Sequence, residues 1–237
     1  MSPSRLERPV AVPVFSCTGC ARCCRNLVDS ASREVPVEES AALARQGLYP
    51  MPREGGLQVW PWERRRMLAA AREAGVPMRF RPALAAVGDV AEGRRAVVVV
   101  WELVGHACPL VTADDRCGAY GDRPAICRAY PLLVRGRAFV VSSLCPGHVM
   151  PTLPSQLPVA YGASHRAAAA AARYPALASS WLAFLEDAGR AAWSRDLGAA
   201  DVAGLPTVDL LDLLEREGVT SQADVEARCA ELGVAYG

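Results

Sequence analysis

Four cysteines lie within eight residues near the start of the chain, in the stretch CTGCARCC at 17–24. Cys17, Cys20 and Cys23 are separated by two residues at each step. This spacing lets successive thiolates converge on one metal ion or cluster, because a short turn brings both sulfurs to the same side. The stretch therefore predicts a metal site with thiolate ligands.

Two later cysteines, Cys108 and Cys145, are each followed by proline. In bacterial ferredoxins, a C-x2-C-x2-C triple occurs together with a cysteine that precedes proline. A proline after a ligand fixes the direction of the chain and removes an N–H that would need a partner. We therefore expect the triple at 17–23 and either Cys108 or Cys145 to form one four-thiolate site.

The remaining cysteines extend the donor set beyond one site. Cys24 directly follows Cys23, and neighbouring side chains diverge in an extended stretch, so one ion is not expected to bind both. We predict that Cys24, Cys117, Cys127 and the second Cys-Pro cysteine form a second site or support the first. Cys229 stands alone near the end of the chain and is interpreted as a small buried hydrophobe.

The spacing of the thiols favours an iron–sulfur cluster, of the [4Fe–4S] type, over zinc. Zinc sites commonly pair two C-x2-C steps, and the four cysteines at 108–145 are too widely spaced for a second such step. Zinc stays the alternative, since all-thiolate shells of either metal are similar in sequence. His106 and His148 each lie close to a Cys-Pro pair and are interpreted as polar loop residues, with a ligand role as the alternative.

The segments that carry the thiols are separated by predicted helices and strands. Helices are expected at 36–47 and 62–75, with a loop between them. Two apolar runs, at 78–88 and 94–105, predict strands around the turn GDVAEG. A tight hairpin is expected at 108–120.

The second half of the chain is predicted to be mostly helical. Residues 123–131 should form a single helical turn, since proline stands near its start and at its end, and residues 132–144 should form a hairpin. From residue 152 onward the pattern is purely helical. The expected helices lie at 155–173, 177–195, 207–217 and 221–232, with Thr207 and Ser221 as N-caps.

The fold class is predicted as α+β, with a small cysteine-cluster metal module built on short β-hairpins and a C-terminal α-helical part. We expect a metal-binding domain at 1–150, which carries an inserted segment of helix and strand at about 31–94. A helical region should follow at 151–237. A length of 237 residues is enough to bury a sizeable core.

The charge balance excludes a nucleic-acid partner. The chain has 26 basic and 25 acidic residues, which gives no field to attract phosphate. Residues 201–237 carry eight acidic and two basic residues, so we expect these helices to pack, with a surface for a protein partner as a further expectation. The basic triplet in WERRRM is interpreted as a solvated edge. Apolar runs are far shorter than the roughly 18 residues of a membrane helix, so we expect no membrane contact and a cytoplasmic location, where thiols stay reduced.

The sequence resembles a known family at its cysteines. The segments that carry the resemblance are FSCTGCARCC, CPLV, DDRCGAYGDRPAICRAYP and LCPG. They are similar to the CxxCxxCC cysteine-cluster family, the YkgJ-like group of zinc- or iron-chelating domains, with Ala21 where that family commonly has glycine. The resemblance implies metal chelation by Cys17, Cys20, Cys23, Cys24, Cys108, Cys117, Cys127 and Cys145.

Two arginines of the resembling segment flank one of these cysteines. Arg123 and Arg128 lie on either side of Cys127 and are expected to offset the negative charge of a thiolate-bound metal, with their N–H groups bonded to sulfur. The alternative is an ion pair with Asp122 or Asp115.

The residues favour a metal-binding protein whose iron–sulfur cluster, or zinc, is structural or transfers electrons. The alternative is a protein-modifying or redox enzyme that uses the cluster, because a flagellin lysine N-methylase is similar in this cysteine pattern. Against the enzyme, the sequence contains no dinucleotide-binding glycine pattern and no P-loop, and no nucleophile elbow.

Overall fold

The computed structural model describes residues 12–25, 27, 37–51, 56–135, 138–151, 153–195, 197, 199–202 and 204–231. Its helices are α1 Arg22–Arg25, α2 Val37–Ala44, α3 Pro61–Glu73, α4 Ala125–Ala129, α5 Leu157–Ala171, α6 Tyr174–Asp187, α7 Ala199–Val202, α8 Leu210–Arg216 and α9 Gln222–Glu231. Its strands are β1 Leu48–Pro50, β2 Gln58–Val59, β3 Phe80–Val90, β4 Gly93–Leu103, β5 Leu132–Arg135, β6 Ala138–Val141, β7 Ala192–Trp193 and β8 Thr207–Asp209.

The long hairpin of β3 and β4 is the centre of a six-stranded sheet. The strands follow the order β1-β3-β4-β2, while β7 pairs with β3 and β8 pairs with β4. All of these pairs are antiparallel except β4 with β8. The run Val97–Val100 explains why β4 is central, since β-branched side chains pack well on a pleated, buried surface. The predicted α+β class and the predicted hairpin are confirmed.

Alternate residues of β4 face two different layers of helix. Val97 and Val99 pack in one apolar cluster with residues of α6 and α8. Val98 packs in another cluster with Met67 of α3. This two-residue alternation is the ordinary geometry of a strand, and it packs one side of the hairpin against α6 and α8 and the other against Met67 of α3.

The C-terminal part of the chain is not purely helical, so that expectation is corrected. Its short strands β7 and β8 extend the sheet, and the predicted helix at 177–195 ends at Asp187. Strand β1 likewise lies partly in the predicted loop before residue 57. Strands of two or three residues are not predicted from sequence patterns because they are too short to show alternation.

The division of the chain near residue 150 stays a prediction, although strands from both sides of it share the sheet.

The start of α8 also differs from the expectation. The predicted N-cap Thr207 is in β8, and Asp209 caps the helix instead, with its side chain accepting a hydrogen bond from the Leu211 N–H at 2.9 Å. The second oxygen of Asp209 accepts from the Trp101 indole N–H at 2.7 Å. At the start of α9, the predicted N-cap Ser221 accepts a hydrogen bond from the Asp224 N–H at 3.2 Å, and its own N–H donates to the Asp224 carboxylate at 3.0 Å.

The basic triplet of α3 is not a solvated edge. Arg65 pairs with Asp212 and with Glu215, at 2.8 Å for the latter, and Arg64 lies 3.5 Å from Asp209. The triplet therefore neutralises part of the acidic charge of the C-terminal helices. A partner surface on those helices stays a prediction. No helix among the described residues combines the length and the apolar character needed to cross a membrane.

Candidate metal centre

Cysteines from four separate stretches of the chain line one cavity. Its empty volume is about 580 Å³, and it opens to solvent. The lining includes Phe15, Tyr120, Arg123 and Tyr130. The cysteines in the wall are Cys17, Cys20, Cys23, Cys24, Cys117, Cys127 and Cys145.

The N-terminal wall is an irregular segment that ends in the single turn α1. Gly19 and Ala21 both have left-handed backbone, with φ of 72° and 50°, and this conformation folds the chain tightly between Cys17 and Cys23. A glycine adopts it without strain, whereas alanine does not. The expectation of an extended Cys23–Cys24 stretch is wrong, because both residues lie in α1 and their sulfurs are 3.9 Å apart.

The segment around Cys108 lies directly beside the N-terminal wall. The Cys108 N–H donates to the carbonyl of Cys24 at 2.7 Å, and the Leu27 N–H donates to the carbonyl of His106 at 3.0 Å. The long hairpin of β3 and β4 therefore brings residues 106–108 next to residues 24–27. An antiparallel bridge between Val111 and Cys117 then closes the predicted tight hairpin.

The last two cysteines lie on short turns. Cys127 is in α4, where its N–H donates to the carbonyl of Pro124 at 3.0 Å. Cys145 follows β6 in a tight turn, and its carbonyl lies 2.7 Å from Nδ1 of His148. His148 thus contacts the backbone of a predicted ligand.

The thiols of the site raise one another's pKa values. Burial raises the pKa of Cys145, and the nearby charges of the predicted ligands Cys20, Cys17 and Cys23 raise it further. The pKa of Cys108 is raised by burial and then by the charges of Cys117 and Cys23. Of the two Cys-Pro cysteines, Cys145 lines the cavity together with Cys17, Cys20 and Cys23.

The largest shift of this kind involves Cys24. Its pKa is raised by the hydrogen bond with Cys23, by burial, and then by the charges of Cys23, Cys127 and Cys108. The same bond lowers the pKa of Cys23 to about 7. Burial raises the pKa of Cys127 well above its ordinary value. Thiols that are buried together resist ionisation, so a bound cation is what would make all of them thiolates.

Arg22 and Arg123 both line the cavity, and Arg123 contacts one of its thiols. Its Nη1 donates to Sγ of Cys17 at 3.9 Å, and its guanidinium lies 3.6 Å from the centre of the Tyr120 ring. Arg128 donates to the carbonyls of Arg123, at 2.8 Å, and Gly121. Arg128 thus holds the loop that carries Arg123.

The carboxylates offered as alternative partners of these arginines have partners elsewhere. Asp115 pairs with Arg25, and Asp122 pairs with Arg66. Tyr120, which holds the Arg123 guanidinium, was not identified from sequence. The sequence feature that could have identified Tyr120 is an aromatic residue three positions before Arg123.

The donor set suits soft, thiolate-binding metal centres. Sulfur ligands are typical of zinc and of iron–sulfur clusters, whereas carboxylates suit magnesium and calcium.

Within the part of the chain that the structure describes, no group of three or more His, Cys, Asp or Glu side chains is close enough to hold a single ion. Cys17 and Cys20 are exposed, and the other six predicted ligands are half-buried.

Comparison with protein-family models gives one match. The model of the CxxCxxCC family, described as "Putative zinc- or iron-chelating domain", matches residues 16–146, more than half of the chain. The matched range contains all eight predicted ligands. No curated protein and no solved structure matches the chain.

Proposed function

Because the chain belongs to the CxxCxxCC family, we propose that its cysteine cavity binds an iron–sulfur cluster of the [4Fe–4S] type, in a structural or electron-transfer role. The resemblance of the cysteine pattern supports a metal, and the number of thiols that line one cavity supports the choice of cluster.

The observation that carries the proposal is the cavity lined by seven cysteines. Four sulfurs around one zinc ion lie about 3.8 Å apart, given Zn–S bonds of about 2.3 Å in a tetrahedron. Here seven thiols line one cavity that opens to solvent. A single tetrahedral ion takes only four ligands, so this larger donor set favours a polynuclear cluster. Zinc stays the alternative metal.

The proposed ligands of the cluster are Cys17, Cys20, Cys23 and Cys145. The first three supply the triple spacing, and Cys145 lies in the field of their charges. The remaining four cysteines would support this site or form a second one. They are Cys24, Cys108, Cys117 and Cys127.

Residues of the wall would tune whatever the thiolates bind. The Arg123 guanidinium, held over Tyr120, offsets negative charge at Cys17. Phe15 and Tyr130 contribute apolar surface that limits the access of water to the sulfurs. A bound cluster would supply one-electron chemistry. The exposure of Cys17 and Cys20 would let such a cluster exchange electrons with a partner protein.

A pair of cysteine variants tests the proposal. Cys23→Ala should lose at least half of the bound iron and the thiolate-to-metal absorption. Cys229→Ala is the matched control, since Cys229 is fully buried in an apolar cluster with Trp62 and Tyr174. The measurement is metal and sulfide per chain after purification without oxygen. Full metal content in Cys23→Ala would contradict the assignment.

A further inference from the structure

Two side chains of α3 reach across to the segment that joins Cys117 and Cys127. Glu63 is 1% exposed, although ionised carboxylates are seldom buried so completely. Its Oε1 accepts a hydrogen bond from the Ala125 N–H at 2.7 Å, and its Oε2 accepts from the Trp60 N–H at 3.1 Å. One carboxylate therefore satisfies the first turns of two helices, α3 and α4.

The helix α4 needs this contact because it cannot cap itself. The residue before it is Pro124, which provides no side-chain hydrogen bond. The free N–H groups of a first helical turn must find acceptors, and a carboxylate there also suits the positive end of the helix. Glu63 supplies that acceptor from a distant part of the chain.

Arg66 lies one turn further along α3 and holds the same segment. Its guanidinium pairs with Asp122 and, at 3.1 Å, with Glu226 of α9. The Arg66 side chain is only 16% exposed, so solvent screens these pairs less than it screens surface pairs. Asp122 directly precedes Arg123, the arginine at Cys17.

We propose that Glu63 and Arg66 are positioning residues of the metal site, which fix the segment 122–125 and thereby the places of Cys127 and Arg123. This inference rests on the proposed metal binding. It makes α3, which contributes no predicted ligand, a support of the site. Neither contact involves a sulfur, so the positioning passes through the backbone of the segment. Besides burial and the charges of neighbouring thiols, the charge of Glu63 also raises the pKa of the Cys127 thiol, whereas Arg66→Ala tests the positioning without that change.

Arg65 provides a matched control for this proposal. It lies between Glu63 and Arg66 in α3, and it pairs with Asp212 and Glu215 of α8. The variants to compare are Glu63→Ala, Arg66→Ala and Arg65→Ala, with Glu63→Gln and Arg66→Lys as conservative changes. Glu63→Gln keeps an oxygen for the Ala125 N–H, and Arg66→Lys keeps the charge beside Asp122.

The first measurement uses protein reconstituted anaerobically with ferrous iron and sulfide. A chelator should remove iron about tenfold faster from Glu63→Ala and Arg66→Ala than from wild type, as expected when a charge-assisted hydrogen bond is lost. Arg65→Ala should stay within about twofold. Each conservative variant should recover part of the difference.

The second measurement uses the reduced, metal-free protein. Iodoacetamide should alkylate Cys127 several-fold faster in Glu63→Ala and Arg66→Ala than in Arg65→Ala. Cys229, which is fully buried, reports global unfolding in the same mass spectrum and should stay protected.

The outcomes separate the two proposals. Wild type that takes up no iron would contradict the proposed function, and this inference with it. Wild type that loads normally, while all three alanine variants behave alike in both measurements, would contradict the positioning role alone. Equal alkylation of Cys127 and Cys229 in the variants would also contradict it, since general unfolding would then explain the loss.

Discussion

The central sheet and the cysteine cavity are built on opposite principles. In β4, Val97, Val98 and Val99 are fully buried among apolar side chains. In the cavity, Cys17 and Cys20 are exposed, and the surrounding backbone is held by isolated hydrogen bonds and short turns. The sheet gains its stability from apolar burial, whereas the cavity joins segments that have little apolar surface to bury.

The difference indicates what each region needs in order to fold. A buried β-hairpin with helices on both faces is stable without a ligand. The four short segments that bring the thiols together have no comparable driving force for folding. Repulsion between neighbouring thiolates also opposes the folding of this region. A bound metal supplies the stability that the cavity region lacks, because the free energy of metal binding then adds to the free energy of folding.

The largest predicted effect follows from metal removal. All-thiolate metal binding contributes on the order of 10 kcal/mol to folding, so chelation should raise amide hydrogen exchange by orders of magnitude in residues 17–25 and 108–128. Exchange in β4 should stay slow. Equal acceleration in the sheet and in the cavity segments would show that the two regions do not differ in this way.

A core substitution should have the converse effect. Leu213→Ala removes a fully buried side chain that packs in the same cluster as Val97, which should lower the free energy of unfolding by about 2–5 kcal/mol. Metal content per chain should not change. Phe184→Ala is the control, since Phe184 is 52% exposed and should cost less than about 0.5 kcal/mol. Denaturant unfolding with metal analysis checks both variants, and a loss of metal in Leu213→Ala would mean that the core and the cavity are coupled.

A pH effect should arise in the sheet region from Asp209. Burial raises the pKa of Asp209, so the folded state retains a proton that the unfolded state loses. Stability is therefore lost as pH rises from the ordinary value of 3.8 through the raised value, by at most about 1.4 kcal/mol per pH unit. In Asp209→Asn this contribution is absent.

The same variant has a second, constant effect. It keeps only one of the two oxygens that accept from the Trp101 indole N–H and the Leu211 N–H, and the donor left without an acceptor should cost about 1–3 kcal/mol. Urea unfolding of both proteins across the acid range gives the difference in stability. A difference that does not decrease with rising pH would contradict the raised pKa.

The smallest effect is expected at Ala21, in the cavity wall. Its left-handed backbone disfavours β-branched residues most strongly, so Ala21→Val should lower stability by about 1–2 kcal/mol and speed the loss of metal. Ala21→Gly relieves the strain but removes a buried methyl, and should stay within about 0.5 kcal/mol of wild type. Thermal unfolding and chelator kinetics measure both. Equal behaviour of the valine and glycine variants would show that the conformation of residue 21 is unimportant.

Sequence predicted the parts of the molecule that carry a strong local signal. The apolar run of β4, the helix at 61–73 and the short turn at Cys127 are present. The ligand set stays a prediction, which thiol spacing made possible because such spacing is itself chemical information; seven of its eight cysteines line one cavity. Strands β7 and β8 were missed, since two or three residues take their conformation from the strand beside them and not from their own pattern.

Contacts between residues that are far apart in the chain could not be predicted from the sequence pattern. The arginine triplet of α3 was interpreted as solvated because its partners, such as Asp212 and Asp122, lie far away in the chain. Glu63 reads as an ordinary capping residue of its own helix, and only the fold places it at the Ala125 N–H. Pairing across the chain depends on tertiary packing, which local propensity does not encode.

Metal and acid-labile sulfide analysis of the protein purified without oxygen tests the central claim most directly. The account predicts iron and sulfide in near-equal amounts, at about four of each per cluster, with broad thiolate-to-iron absorption in the visible range. Colourless protein with stoichiometric zinc and no sulfide would contradict the iron–sulfur assignment. Protein that binds neither metal would contradict the metal site itself.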